Sequence, residues 1–134
     1  MQFVDSGGQP GESVAPGVVD YQLARRRVLR RFRAGELQRA DVCDAQIELM
    51  RVANECSETV RRRCPICDAH GLRIVRFVFG PRLPPGGRCV VPGEELTKLA
   101  HRSGEHRCYV VEVCVACRWN HLQRVAVLSP GIRV

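Results

Sequence analysis

Two cysteine couplets constrain this chain more than any other feature. Cys64-Pro65-Ile66-Cys67 and Cys114-Val115-Ala116-Cys117 stand with 46 residues between them in a chain of 134. Two thiols three positions apart grip one side of a tetrahedral ion, so two such couplets supply four ligands, the donor set of structural Zn2+. A set of four protein ligands leaves no position for water or substrate. The ion then cross-links the chain, and its binding free energy counts as folding free energy. The gap exceeds the about 15 to 20 residues common between such couplets, and an inserted strand, loop and helix account for it.

Other chemistries suit the same cysteines less well. An iron–sulfur or mononuclear iron centre also takes four thiolates, but the spacing is not of the ferredoxin kind. A redox dithiol at Cys64 and Cys67 would sit at a strand-to-helix junction in a thioredoxin-like site, whereas here a strand follows. His70 and His121 are the substitute ligands if a cysteine is not used. Nothing in the spacing of Cys43, Cys56, Cys89 and Cys108 asks for a second metal site. Glycine often follows the second cysteine of such a turn, where the backbone bends tightly; Asp68 and Arg118 stand there instead.

The rest of the composition says why a cross-link would matter. Aromatic residues are 5% of the chain against eight cysteines, so the interior must come from Val, Leu, Ile and some thiols. A chain of this length fits one domain with a modest core. Eight cysteines could also form a secreted disulfide framework, but Met1 to Gly17 is rich in Gly, Pro and charge and lacks an apolar leader segment. The expected setting is a reducing cytoplasm. No run approaches the about 18 apolar residues of a membrane span.

Patterning predicts an α+β fold. Residues 1–17 read as a flexible tail. Residues 18–131 read as a single zinc-ribbon-like domain, helical over 18–60 and ribbon over 61–131. A helix over Val18–Ala34 follows from Tyr21, Ala24, Val28, Leu29 and Phe32 at three- and four-residue steps, with Gly35 as its stop and Arg25 falling within the apolar arc. A second helix is expected from Asp41 or Asp44 to about Asn54, making a helical hairpin. Strands are expected at Leu72–Phe79, Cys108–Cys114 and His121–Leu128, with a loop at Pro81–Gly93 and an inserted helix from Glu94 to about Arg102. The couplets fix the strand directions. The first strand leaves the metal, the second arrives and the third leaves, which gives a three-stranded antiparallel sheet with the second strand central.

The charge is +7, and all but Lys98 of the 21 basic residues are arginine. Such a balance favours anionic partners, and arginine suits bidentate phosphate contacts, although a GC-rich genome also writes arginine by default. Arg26, Arg27, Arg30 and Arg33 form a stripe on the first helix that reads either as a solvated face or as an anion-binding one. Arg61-Arg62-Arg63 leads into Cys64, where positive charge offsets that of a four-thiolate centre or meets a partner. Arg118 and Trp119 offer a planar cation and a stacking ring for unstacked bases; packing against the sheet is the plainer role for the only Trp in the chain.

Val18-Val19-Asp20-Tyr21, Asp41-Val42-Cys43-Asp44-Ala45, Cys64-Pro65-Ile66-Cys67, Phe77-Val78-Phe79-Gly80, Tyr109 to Cys114 and Cys117-Arg118-Trp119-Asn120-His121-Leu122 occur here together. As a set they resemble an uncharacterised actinobacterial family of small zinc-ribbon-like cytoplasmic proteins. The resemblance runs from about Val18 to Leu128 and implies the fold and the metal, with no activity to carry over.

No paired carboxylates, activated nucleophile, phosphate loop or open metal position can be assembled from these spacings, so no enzyme is expected. The expected function is a structural-zinc module that binds nucleic acid, or a nucleic-acid machine such as the ribosome or RNA polymerase, through its arginine faces. A protein–protein adaptor and a thiol-based zinc redox sensor are the alternatives. No membrane and no small-molecule substrate is expected.

Overall fold

A computed structural model describes residues 11–15 and 17–134. In chain order the elements are β1 (Glu12–Ala15), β2 (Val18–Asp20), α1 (Gln22–Arg33), α2 (Arg39–Val42), α3 (Ile47–Glu55), β3 (Glu58–Thr59), β4 (Leu72–Phe79), β5 (Arg88–Val90), α4 (Glu94–His101), β6 (Arg107–Cys114) and β7 (Asn120–Val127).

The fold class is α+β, but the sheet is larger than three strands. Its order is β1-β2-β7-β6-β4-β3, with β5 also on β4, and every pairing is antiparallel. The three expected strands are its middle, with β6 between β4 and β7. What the three-stranded reading lacked are short edge strands. Val18 and Val19 are β-branched and pair with Val125 and Ala126 of β7, while β3 and β5 share the outer edge of β4. Two- and three-residue strands carry too little periodicity to be told from loop.

Val18–Asp20 is therefore strand, not the start of a helix. Asp20 ends the strand and starts α1, its Oδ1 accepting the Gln22 backbone N–H at 2.6 Å. Gly35, at φ +79°, stops α1 as expected. Of the expected tail, residues 1–10 and 16 lie outside the described residues, and Glu12–Ala15 is strand rather than tail. The second helix divides. Asp41 lies inside the short α2, accepting the Gln38 backbone N–H at 2.7 Å, Asp44 accepts from Asn120 at 2.9 Å, and α3 begins only at Ile47. The helical hairpin is not formed either, because α1 packs on β7 and α3 on β4.

Side chains alternate along the strands, and the two sheet faces bury different things. Val75, Phe77, Val111, Val113 and Leu122 pack with Leu49 and Ala53 of α3 on one face. On the other, Ile74, Val78, Cys108 and Val110 meet Leu99 of α4, and Leu72 and Cys114 meet Leu29, Val42, Cys64 and Trp119. Between those two clusters lies Glu112, fully buried on the same face of β6. A bulge after Val110 pairs Val110 with Arg124 and Val111 with Leu122, which leaves Gln123 unpaired in the ladder.

Candidate metal centre

The two couplets form matching turns. Asp68 N–H donates to the Cys64 carbonyl at 3.0 Å and Arg118 N–H to the Cys114 carbonyl at 2.9 Å. Each turn then closes on itself, Cys64 N–H reaching the Ala69 carbonyl at 3.0 Å and Cys114 N–H that of Trp119 at 2.8 Å. Asp68 and Arg118 take φ +62° and +75°, the bend for which glycine was expected. Backbone N–H groups also point at sulfur, Ile66 to Cys64 Sγ and Trp119 to Cys117 Sγ, both at 3.4 Å.

These turns bring the Sγ atoms of Cys64, Cys67, Cys114 and Cys117 within 4.8 Å of one another. Two cross-couplet pairs, Cys64 to Cys117 and Cys67 to Cys114, are 3.7 Å apart. A tetrahedral ion with metal–sulfur bonds of about 2.3 Å has sulfur–sulfur edges of about 3.8 Å, so the donor set fits a metal of that kind. The couplets are packed hard together: a Cβ at Gly71 would stand 3.1 Å from Cys114 Sγ and from the Ala116 nitrogen.

Burial pushes the Cys64 thiol up to about 11 and raises that of Cys117 further, with Cys43 beside it adding to the effect. At Cys67 burial works the same way, but the Ala69 N–H and the neighbouring sulfurs outweigh it and the thiol lies below its ordinary value. Ionising four packed thiols is costly unless a cation sits among them. The exposed Arg39 stands near this end of the cluster, and Cys43, then Cys117, raise its pKa.

Cys43 is the residue that sequence reasoning placed away from the site. Its Sγ lies 3.5 Å from Cys117 Sγ, because α2 ends at Val42 and turns the next residue onto the second couplet. The other thiols stay outside: Cys89 donates to the Cys56 carbonyl at 3.0 Å, and Cys108 is buried under the sheet. Neither His70 nor His121 joins the sulfur set. His121 is buried, stacks on Trp119 with centroids 5.8 Å apart and bonds the Leu122 carbonyl through Nδ1.

Next to the sulfurs stands Glu112. Its Oε1 accepts Arg25 Nε at 2.5 Å and Gln123 Nε2 at 3.4 Å. Its Oε2 accepts Arg25 Nη2 at 3.1 Å and Trp119 Nε1 at 3.0 Å, with Arg62 at 3.7 Å. Burial alone would raise this carboxyl, but Arg25 and Trp119 more than offset it and hold it below the usual carboxylate range.

The arginines and the Trp named from sequence are placed as follows. Arg26, Arg27, Arg30, Arg33, Arg61, Arg62 and Arg63 are exposed. Arg118 is turned inward at its head, where Nε donates to the Ala45 carbonyl at 2.8 Å and Nη2 reaches the same oxygen. Trp119 is 1% exposed, so no base can stack on it. The Arg61–Arg63 run does not sit on the thiolates: Arg62 turns to Glu112 and Arg63 to Asp68. Sequence reasoning missed Arg39, Cys43 and the Arg25–Glu112 pair. Two signals were present for the pair, a cation within the apolar arc of α1 and a lone acid in the apolar run of β6.

The fold and site together define an α+β protein with a partly buried four-cysteine cluster that could hold a metal. The chain belongs to a family of unknown function (DUF5318), whose model matches residues 14–133. It is 40% identical over 111 residues to the uncharacterized proteins Mb0050 of Mycobacterium bovis and Rv0049 of Mycobacterium tuberculosis, covering 83% of this chain and 81% of each relative. No solved structure matches significantly. No helix among the described residues is long and apolar enough to cross a membrane.

Proposed function

We propose that Cys64, Cys67, Cys114 and Cys117 hold a structural Zn2+ and that the chain is a non-enzymatic module whose arginine faces bind nucleic acid or a nucleic-acid machine such as the ribosome or RNA polymerase. The observation that carries the metal reading is the 3.7 Å spacing of sulfurs from opposite couplets. Bound there, the ion would supply a redox-inert cross-link and charge for the thiolates. The residues do the rest: backbone N–H groups orient the sulfurs, Arg39 balances charge, and Gly71 lets the two turns approach.

The partner reading is supported by the +7 charge and by the way the fold joins two arginine groups that are far apart in sequence. Arg25 and Arg26 of α1 line one cleft with Arg62 and Arg63. Arg27, Arg30 and Arg33 continue the exposed side of the same helix. Trp119 and Arg118 are left out of this interface because their heads are engaged inside. Elemental analysis of the purified protein should find one zinc per chain. Filter binding to RNA and DNA should show retention that falls steeply with salt, by about a thousandfold between about 50 and 200 mM if six phosphates are contacted. Retention absent at low salt, or indifferent to salt, ends the nucleic-acid reading and favours a protein adaptor.

One contact favours a second reading, a thiol sensor. Cys43 lies 3.5 Å from Cys117. A hydroperoxide would oxidise one of these thiols to a sulfenic acid, and the other would displace water to leave a disulfide. Peptide mapping after mild peroxide should then find Cys43 joined to Cys117 and metal released; Cys64 joined to Cys67 would speak against Cys43 as the resolving thiol.

A further inference from the structure

The cleft between α1, β7 and the segment before the first couplet has a volume of about 480 Å³ and is lined by Arg25, Arg26, Arg62, Arg63 and Arg124, with Asp20 the one acidic side chain in its wall among the described residues. We infer that this cleft is a seat for a phosphomonoester, the dianionic phosphate of a small phosphorylated molecule or of a nucleic-acid 5′ end. The inference shares its arginines with the nucleic-acid reading above, but it needs only the phosphate, and its test separates the two.

Three observations carry it. The first is charge. Glu112 beneath the cleft and Asp68 at its outer side also reach these arginines, so among the described residues five guanidinium groups face three carboxylates and an excess of two positive charges remains. A phosphomonoester near neutral pH carries about that charge with opposite sign.

The second is preorganisation. Arg25 is held by both oxygens of a fully buried carboxylate, and Arg62 leans on the same group. The bulge at Gln123 sets that side chain onto Glu112 while Arg124 also lines the cleft. Cations fixed in advance lose less conformational freedom on binding than those of a solvated surface stripe.

The third is an unmet need. Arg124 is half-buried, yet its guanidinium has no hydrogen bond or ion pair among the described residues, and burial with Arg76 nearby holds its pKa down. An anion in the cleft would supply the missing partner. The stripe formed by Arg27, Arg30 and Arg33 has neither the enclosure nor the buried anchor, which is why the cleft is singled out from the rest of the basic surface.

The test is calorimetry on the full chain with adenosine 5′-monophosphate, inorganic phosphate, adenosine, and a short oligonucleotide with and without a 5′ phosphate. Trp119, the only Trp and a donor to Glu112, reports in parallel through its fluorescence. Monophosphate and phosphate should bind saturably, with Kd about 1 mM or tighter, and adenosine should not. Arg124→Gln should weaken binding by about tenfold, the loss expected of one charge-assisted contact, while leaving metal content and circular dichroism unchanged. Arg63→Gln is the second variant should Arg124→Gln fold poorly. Preference for the 5′-phosphorylated oligonucleotide over the free nucleotide would identify the source as a nucleic-acid end; equal binding would identify a small metabolite. No saturable binding of either phosphate, or binding unmoved in both variants, overturns the inference even if long nucleic acid is retained on filters.

Discussion

Cys114 and Glu112 stand two positions apart on one face of β6, opposite Leu72 and Ile74 of β4, and both are fully buried. Each belongs to a cluster that must dispose of negative charge away from water, and the two clusters do so differently. Round Glu112 the chain brings its own cation, Arg25, in bidentate contact, so the node is complete on folding. Round Cys114 it brings four sulfurs and, among the described residues, the exposed guanidinium of Arg39, a set that could hold an ion from outside. Trp119 joins them, its backbone N–H on Cys117 Sγ and its ring N–H on Glu112. One strand face thus carries a cysteine cluster able to take a metal and a self-contained ion pair.

The comparison breaks most sharply if the metal end proves dispensable. Cys114→Ser should lose the ion and about 5 kcal/mol or more of stability, since a structural metal site contributes its binding free energy to folding. A chelator added to the wild type should do the same. Thermal unfolding with and without metal checks it, and equal melting temperatures would reduce the cysteine cluster to ordinary core packing. Next in size is Glu112→Gln, expected to cost about 3 to 5 kcal/mol because it leaves Arg25, only 23% exposed, without its counter-charge. Metal content should stay at one ion per chain. If it falls in proportion, the two clusters are a single unit coupled through Trp119.

The contrast also explains what could be read from the residues alone. Cysteine couplets announce themselves because spacing within each couplet is local, strands β4 and β6 are rich in β-branched and aromatic residues, and β7 follows directly on the second couplet; all of this survives without knowledge of the fold. The Arg25–Glu112 pair spans 87 positions, so neither residue's local pattern names the other. Arg25 appeared only as a flaw, a charge where periodicity called for an apolar side chain, and Glu112 passed unremarked inside its strand. Cys43 was invisible as a neighbour of the sulfurs because its place depends on where α2 stops. The edge strands were lost for a different reason: their stability comes from pairing with a strand already in place, and not from any period of their own.

Acid should sharpen the difference further. Glu112 titrates below its ordinary value when folded, so its contribution is present above the unfolded pKa of about 4.3 and is lost as pH falls toward the lower folded value. The stability gap between wild type and Glu112→Gln, measured by urea unfolding, should be full at neutral pH. Below about pH 4.3 it should shrink by up to about 1.4 kcal/mol per pH unit. Both proteins carry the same cysteine cluster, so the gap isolates the carboxylate; a gap that stays constant to about pH 3 would mean that folding does not shift the Glu112 carboxyl, and one that moves in the wild type's favour as pH falls from neutral would mean that Glu112 is not ionised in the folded chain.

The smallest effect distinguishes the two metal turns from each other. Asp68 and Arg118 both occupy left-handed backbone, at φ +62° and +75°, where a side chain costs up to about 1 to 2 kcal/mol and Asp less than most. Asp68 gives back only an exposed ion pair with Arg63 at 3.3 Å, a contact of small worth. Arg118 gives back two donors to the Ala45 carbonyl, the bond that ties the second turn to the loop before α3. Asp68→Gly should therefore stabilise by about 0.5 to 1 kcal/mol, whereas in Arg118→Gly the relieved backbone and the lost hydrogen bonds should nearly cancel. Denaturant midpoints of the two variants read this directly. Equal stabilisation of both would show that the Arg118 side-chain bonds to Ala45 contribute nothing, leaving the second turn to its backbone hydrogen bonds, among them Ala45 N–H to the Arg118 carbonyl at 3.1 Å.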